Sequence, residues 1–402
     1  MEYQDYFGFA LGGGEIIFGN GAIRYIPEIL TKKIKVKKPF IITDPGVVQG
    51  GHVEKVVRDL QNAKIPLELF DKVEPEPPIE NVLVCVEHAS SKECDSIVAI
   101  GGGSVIDLAK VTSALLKYRG DIKDYYGQEK VPGETLPIVA VPTTAGTGSE
   151  VSAGAILTDS KANTKVGVRS NHLRPKVALL DPLLTLSCPK SVTAAAGFDV
   201  LAHAVESYTM NEYTCMPKGT VIFYGTNPLT EPLATAAIPL VAKYLRLAVH
   251  QGQNKEAREK MMLASLLAGI AFSNSGVTMT HNISYPVGAK THASHGVLLG
   301  TLLPAVLEFN LPARMERLSA VATLMGEEVH SLSLEGAAQK GIEAIKNLIE
   351  DIQLPSKMRE IGVNESDIPE MARISMPMLQ SMPWNPRSVT LEELIGVYRN
   401  AY

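Results

Sequence analysis

Through the first half of the chain, short apolar runs that end in turn residues alternate with stretches of helical period. Pro39 to Asp44 reads as a strand, Val47 to Ala63 as a helix and Leu67 to Phe70 as a strand. Ile79 to Ser90 then reads as a helix, Ser96 to Ile100 as a strand, Ser104 to Lys117 as a helix and Pro137 to Val141 as a strand. Alternation of this kind implies a parallel sheet covered by helices on both faces, with ligands bound outside the carboxyl ends of its strands. From about Ser187 the strand signals stop. Leu229 to His250, Lys255 to Ser273, Met315 to Met325, Leu334 to Ile352 and Thr390 to Tyr402 carry apolar residues at helical spacing, and Asn211 to Thr230 reads as a loop. The boundary is expected where strand-like Val177 to Leu180 runs into Asp181 and Pro182, giving an α/β domain over 1–185 and an all-helical domain over 186–402.

Length agrees with that division, since 402 residues exceed one ordinary core. With 45% hydrophobic and 20% charged residues the chain reads as globular. Its 38 basic and 43 acidic residues leave a net charge of −5, so no basic face is expected for nucleic acid or a membrane surface, and small molecules are the favoured partners. Cys85, Cys94, Cys188 and Cys215 show no C-x-x-C pairing, which fits a reduced, cytoplasmic setting. The N-terminal residues lack the basic and apolar regions of a signal peptide, and no uncharged apolar run approaches membrane-spanning length.

Candidate chemistry gathers at strand ends and in two histidine-bearing stretches. Gly101, Gly102, Gly103 and Ser104 follow a strand and open a helix, which is where bare backbone amides can receive a diphosphate. The alternative is a tight turn with Ser104 as N-cap. Thr143, Thr144 and Thr147 follow the next strand and offer hydroxyls either to a ligand or to their own loop. Asp44 ends a strand too, as a turn former or as the acid that accepts from a ribose and repels a 2′-phosphate, favouring NAD over NADP. The clusters Gly12 to Gly14 and Gly19 to Gly21 read as turns. Asp199 and His203 stand one helical turn apart, so one face of a helix presents both, either to a divalent cation or to each other as a solvated hydrogen bond. His281 and His295 are too far apart to share an ion along one straight helix, fourteen residues rising about 21 Å. Pro286 and Gly288 are expected to break that segment, with Ser294 capping the next helix, so that two short elements aim both imidazoles at one site.

Taken together, the glycine turn with Asp107 and Lys110, the Thr143 loop, the Asp199/His203 helix and the His281 to His295 segment resemble the group III, iron-containing alcohol dehydrogenases. The likeness runs from the opening strand region to the last helix. It implies an N-terminal dinucleotide-binding α/β domain and a C-terminal, all-α, dehydroquinate-synthase-like domain, with the site in a cleft between them. Asp199, His203, His281 and His295 match the family's metal ligands, a donor set that accepts Fe2+ or Zn2+. Asp44, Gly102, Gly103, Ser104, Asp107, Thr143, Thr144, Thr147 and Lys165 match its cofactor positions. Many members carry a proton-relaying histidine four residues after the third ligand; here Tyr285 stands there, and His292 is the candidate substitute. The resemblance further implies a homodimer or larger assembly. The activity it implies is reversible hydride transfer between a small primary alcohol, diol or hydroxy acid and NAD, with NADP as the alternative cofactor.

Segments around Tyr224 to Pro228 and Asn282 to Pro286 are similar to the hydroxyacid-oxoacid transhydrogenase branch, which acts on 4-hydroxybutyrate and 2-oxoglutarate. That reading needs a cation for the substrate carboxylate, with Arg169 and Lys290 as candidates. A non-enzyme reading, a nucleotide- or metal-sensing scaffold, would use the same residues without turnover.

Overall fold

A computed structural model describes residues 2–11, 14–161, 164–380 and 383–402. The turn expected at Gly12 and Gly13 lies outside them. The chain forms two compact units, Ala10–Cys188 and a second made of Met1–Phe9 with Pro189–Tyr402. The opening nine residues, grouped with the α/β half in the sequence reading, thus pack with the helical half. Gln4 N donates to Met216 O at 2.8 Å, Lys218 N to Glu2 O at 2.9 Å, and the Phe7 ring meets Tyr213 edge-on at 5.1 Å.

The α/β unit contains strands β1 (Glu15–Phe18), β2 (Pro39–Thr43), β3 (Glu68–Phe70), β4 (Ser96–Gly101), β5 (Gly127–Gln128), β6 (Ile138–Pro142), β7 (Gly154–Asp159), β8 (Thr164–Arg169) and β9 (Val177–Leu180). Its helices are α1 (Ile26–Glu28), α2 (Pro45–Gln49), α3 (His52–Asn62), α4 (Ile79–Ser90) and α5 (Gly103–Tyr118). Six strands make one sheet in the order β1-β9-β6-β4-β2-β3, every pairing parallel. Successive residues point to opposite faces. Phe40, Ile42, Ile97, Ala99, Ile138 and Ala140 enter one core with α4 and α5; Ile41, Val98, Ile100, Val139 and Val141 enter the other with α3. Burial on both faces is why these strands read as unbroken apolar runs.

Connections leave β2 and β4 in opposite directions, toward β3 and toward β6. At such a switch point the strand ends flank an open crevice. Register pairs Thr43 with Ile100 and Gly101 with Pro142, so Asp44, the glycine turn and Thr143 emerge along one edge.

Two sequence expectations are revised here. The helix expected over Val47 to Ala63 is two helices, broken at Gly50 and Gly51, where Gly51 has φ 74°. The antiparallel hairpin of β7 and β8, with β5 beside it, was not anticipated.

The helical unit comprises α6 (Lys190–Thr209), α7 (Thr230–His250), α8 (Lys255–Ser275), α9 (Met279–Thr291), α10 (His295–Leu324), α11 (Leu334–Asp351), α12 (Ile368–Gln380) and α13 (Leu391–Ala401). α6 is buried on all sides over most of its length, which accounts for its alanine-rich sequence. The break expected at Pro286 and Gly288 does not occur, because α9 runs through both. The chain turns instead at His292, φ 54°, and Ser294 stands at the N-cap of α10. The helix expected over Met315 to Met325 is the last part of α10, beyond a departure from helical geometry at Arg314 just after Pro312. α7 and α10 are long and apolar enough to cross a membrane by length and composition, although Lys243 and Arg246 in α7 and Glu308 in α10 keep either from being an uncharged run. Their apolar residues, among them Ile238, Val241, Leu245, Leu299, Leu302 and Leu303, are buried within the unit itself.

Candidate functional site

In the helical unit, Asp199 and His203 lie one turn apart on α6, and α9 brings His281 to the same point. All three are buried. Asp199 Oδ1 is 3.5 Å from His203 Nε2, 3.6 Å from His281 Nε2 and 3.9 Å from His295 Nε2. Two donors bound at about 2.1 Å to one ion stand some 3–4 Å apart, so the spacing suits a shared cation. Asp199, His203 and His281 form the tight set; His295, at the start of α10, closes it from the open side, its side chain 37% exposed.

Asp199 Oδ1 and His281 Nε2 are buried without a hydrogen-bond partner. Buried polar atoms are seldom left so, and an unsatisfied carboxylate oxygen facing a ring nitrogen is what a cation would complete. One carboxylate with three imidazoles is the donor chemistry of Fe2+ and Zn2+. Burial disfavours charge on Asp199, but the surrounding imidazoles outweigh it and hold the carboxyl at about 2. Burial pushes His203 down to about 3, leaving it a neutral donor. Its ring stacks on Phe272 at 4.0 Å and on His281 at 4.7 Å, which fixes its plane.

Close helix packing underlies the convergence. A Cβ on Gly296 would lie 1.9 Å from the Ala195 carbonyl oxygen, so only glycine lets α10 approach α6 there.

Glu206, missed in the sequence, completes the arrangement. It sits on the α6 face of Asp199 and His203, one further turn along, and its carboxylate meets His281 Nδ1 at 2.5 Å. Thr278 N (3.0 Å), Thr278 Oγ1 (2.5 Å) and Thr280 N (2.9 Å) donate to it as well. Burial opposes its charge, His281 and the Thr278 and Thr280 donors outweigh that, and the carboxyl lies at about 2. On His281, burial is overcome by Glu206 and Asp199, which raise it to about 9, so loading a cation must displace a proton. The signal in the sequence was the spacing Asp199, His203, Glu206 on one helical stripe.

Tyr285 is half-buried one turn after His281 on the same face of α9. His292 is exposed, forms the left-handed C-cap of α9 and is not among the residues gathered at Asp199. Lys290 is paired with Asp367 at 2.7 Å, which occupies the cation considered for a substrate carboxylate.

In the α/β unit, β4 ends at Gly101 and Gly102 caps α5 without a side-chain bond. Ser104 is therefore not the N-cap; its hydroxyl accepts from Glu76 N at 3.1 Å. Val105 N and Ile106 N donate to Gly102 O, while Gly102 has no side chain to cap the amides before them, a helix start that suits an anion. A Cβ on Gly103 would lie 2.6 Å from Thr147 Cγ2, and Thr143 N donates to Gly101 O at 3.1 Å, so turn and threonine loop are packed together. Asp44 caps α2, Oδ1 accepting from Gly46 N at 2.8 Å and Val47 N at 3.0 Å. Lys165 Nζ meets Glu76 Oε2 at 2.6 Å and Thr158 Oγ1 at 2.8 Å, joining it to Ser104 through Glu76.

Asp107 faces inward. Its carboxylate accepts from Ser149 Oγ and, at 2.9 Å, from Ile156 N, 3.9 Å from the Lys110 ammonium. Lys110, fully buried, donates to Ser149 Oγ (2.9 Å), Ser152 Oγ (3.0 Å) and Gly154 O (2.7 Å). Asp107 and Lys110 thereby tie α5 to the segment that continues the threonine loop.

Residues 13–182 match the family described as iron-containing alcohol dehydrogenase, and residues 193–402 match the C-terminal region of the same family. The chain is 38% identical to 1,3-propanediol dehydrogenase of Klebsiella pneumoniae over 387 residues, 96% of each chain. It is 35% identical to NAD-dependent methanol dehydrogenase of Bacillus methanolicus over 385 residues, 96% of this chain and 97% of that one. A crystal structure of 1,3-propanediol oxidoreductase superimposes with a TM-score of 0.91 at 37% identity, covering 99% of this chain and all of the other. Two family matches that span nearly the whole chain, over a parallel α/β unit and a helical unit with a buried Asp/His cluster, identify the protein as a member of the iron-containing alcohol dehydrogenase family.

Proposed function

We propose that the protein interconverts a small primary alcohol or diol and its aldehyde, using NAD and a divalent cation, Fe2+ by preference and Zn2+ as its competitor. The observation that carries this reading is the buried convergence of Asp199, His203 and His281, with Asp199 Oδ1 and His281 Nε2 lacking a hydrogen-bond partner, in a chain of this family. A bound cation supplies Lewis acidity toward the alcohol oxygen, and a bound nicotinamide accepts the hydride.

The chain's own residues do the rest. Asp199, His203, His281 and His295 hold the cation, Asp199 bringing the one negative charge. Gly102, Gly103 and Ser104 receive the diphosphate on the open amides of α5, with Thr143, Thr144 and Thr147 beside them. Asp44 accepts from the ribose with the carboxylate oxygen that does not cap α2, and its charge favours NAD over NADP. Lys165 reaches the cofactor once released from Glu76. Tyr285 Oη passes the alcohol proton outward, a phenol hydroxyl being able both to accept and to donate. Asp107 and Lys110 position the turn from behind. The family likeness also favours a homo-oligomer working in the cytoplasm.

The test is a substrate panel of methanol, 1-propanol, 1,2- and 1,3-propanediol and 4-hydroxybutyrate, with NAD, NADP or 2-oxoglutarate as acceptor, alongside metal analysis. Alcohol-dependent NADH formation that disappears in Asp199→Ala, together with the bound metal, is the expected result. Unchanged turnover in that variant removes the metal from the mechanism. Turnover of 4-hydroxybutyrate only with 2-oxoglutarate replaces the dehydrogenase by a transhydrogenase.

A further inference from the structure

Glu206 is not one of the four proposed ligands, yet it is a fully buried carboxylate held by several donors in the helical unit's core. Four donors converge on it: Thr278 N, Thr278 Oγ1, Thr280 N and His281 Nδ1. Three belong to residues 278–280, where α9 begins and where Thr278 supplies no side-chain cap of its own. Glu206 therefore caps α9 from another helix, satisfying amides that the start of a helix leaves open. The fourth contact takes Nδ1 of His281, leaving Nε2 as the atom that faces Asp199 Oδ1.

His281 differs in this from its neighbour. His203 has no carboxylate behind it, and its Nδ1 is buried without a partner. We propose that Glu206 is a positioning residue that sets how tightly the divalent cation is retained, by locking the start of α9 and the tautomer of His281 in one contact. The proposal rests on the metal-dependent reading above. Removing a carboxylate that orients a ligating histidine typically lowers metal affinity 10- to 100-fold. Glutamine at 206 keeps the size but offers one acceptor oxygen where the carboxylate offers two, so it cannot serve both the Thr278 and Thr280 amides and the imidazole.

The experiment compares wild type, Glu206→Gln and Thr278→Val. Thr278→Val removes the hydroxyl donor and leaves the His281–Glu206 contact in place. Each protein is loaded with Zn2+, transferred to a chelator, and followed for metal release; the melting temperature of the stripped protein is measured in parallel. The expected result is release at least tenfold faster in Glu206→Gln and nearly unchanged in Thr278→Val, with both stripped proteins losing thermal stability to a similar degree. Equal release from wild type and Glu206→Gln overturns the proposal. Equally accelerated release in both variants also overturns it, because the effect then belongs to the helix start alone. If wild type binds no Zn2+ under conditions where Asp199→Ala also binds none, the underlying metal reading fails instead.

Discussion

Replacing Gly296 by alanine tests how the helical unit assembles its donor set. The new Cβ would stand 1.9 Å from Ala195 O, 2.5 Å from its carbonyl carbon and 2.9 Å from its Cα, all backbone atoms that cannot rotate away. Relief to the 3.0 Å below which real Cβ contacts essentially never fall requires α10 to retreat from α6 by about 1.1 Å. His295 begins α10 and Asp199 lies on α6, one turn beyond Ala195, so their 3.9 Å separation widens toward about 5 Å. Two donors at about 2.1 Å from one ion cannot be more than about 4.2 Å apart, so His295 leaves the set. Overpacking of this size costs about 1–3 kcal/mol of stability. Metal affinity should fall at least about tenfold, the lower end of what a misplaced ligand costs. Calorimetric titration of stripped protein with Zn2+, with melting curves in both states, reads both effects. Gly300→Ala, one turn further along α10 with its nearest contact at 3.4 Å, is the control and should change neither by much. A Gly296→Ala variant with wild-type metal affinity would refute the reasoning, whatever its melting temperature.

Further outcomes follow from the α/β unit. In Gly103→Ala, crowding of the Thr147 side chain should raise the KM for NAD on the order of tenfold, the equivalent of about 1.4 kcal/mol, with a smaller change in kcat; steady-state kinetics check it. Lys110→Met takes the ammonium donor from Ser149, Ser152 and Gly154 O and leaves Asp107 without its cation, and should destabilise the protein by about 3–5 kcal/mol in denaturant unfolding. Burial holds the Lys110 ammonium down at about 8, against 10.5 ordinarily. Between those values the unfolded chain keeps a proton that the folded chain has released, so stability contributed by this group rises from about pH 8 to 10.5 and is lost as pH falls through 8. The difference in unfolding free energy between wild type and Lys110→Met should therefore grow over that window, and a flat difference would count against the depressed value.

The parallel sheet could be read from the sequence because Phe40 to Ile42, Ile97 to Ile100 and Ile138 to Val141 are buried on both faces and carry no polar interruption. The β7/β8 hairpin could not, since Thr158, Lys165 and Arg169 are half-exposed among its apolar residues and Gly154 and Gly167 weaken any strand pattern. α12 was hidden by Pro369, which falls in its first turn where a missing amide costs nothing, and by Pro377 near its end. That Asp199 and His203 share one helix face could be read from their spacing, although the pair alone says little without the His281 to His295 segment. The meeting of His281 and His295 could not, because it depends on α9 continuing through Pro286 and on a turn at His292. Glu206 went unnoticed because its place on the Asp199/His203 stripe says nothing of its role until its partners at Thr278 and Thr280, on another element, are in view. For Asp107 the likeness to a cofactor position was legible, but not that both its oxygens turn inward.

Residues 2–9 belong to the helical unit, so the polypeptide passes between the two units twice, near residue 9 and near residue 188. The α/β unit is in effect an insertion within the other. During synthesis, residues 2–9 must wait until Tyr213 and Met216 exist before they can find their place, while Ala10–Cys188 makes its internal contacts without them. A protease cutting at only one crossing would leave the halves joined by the other.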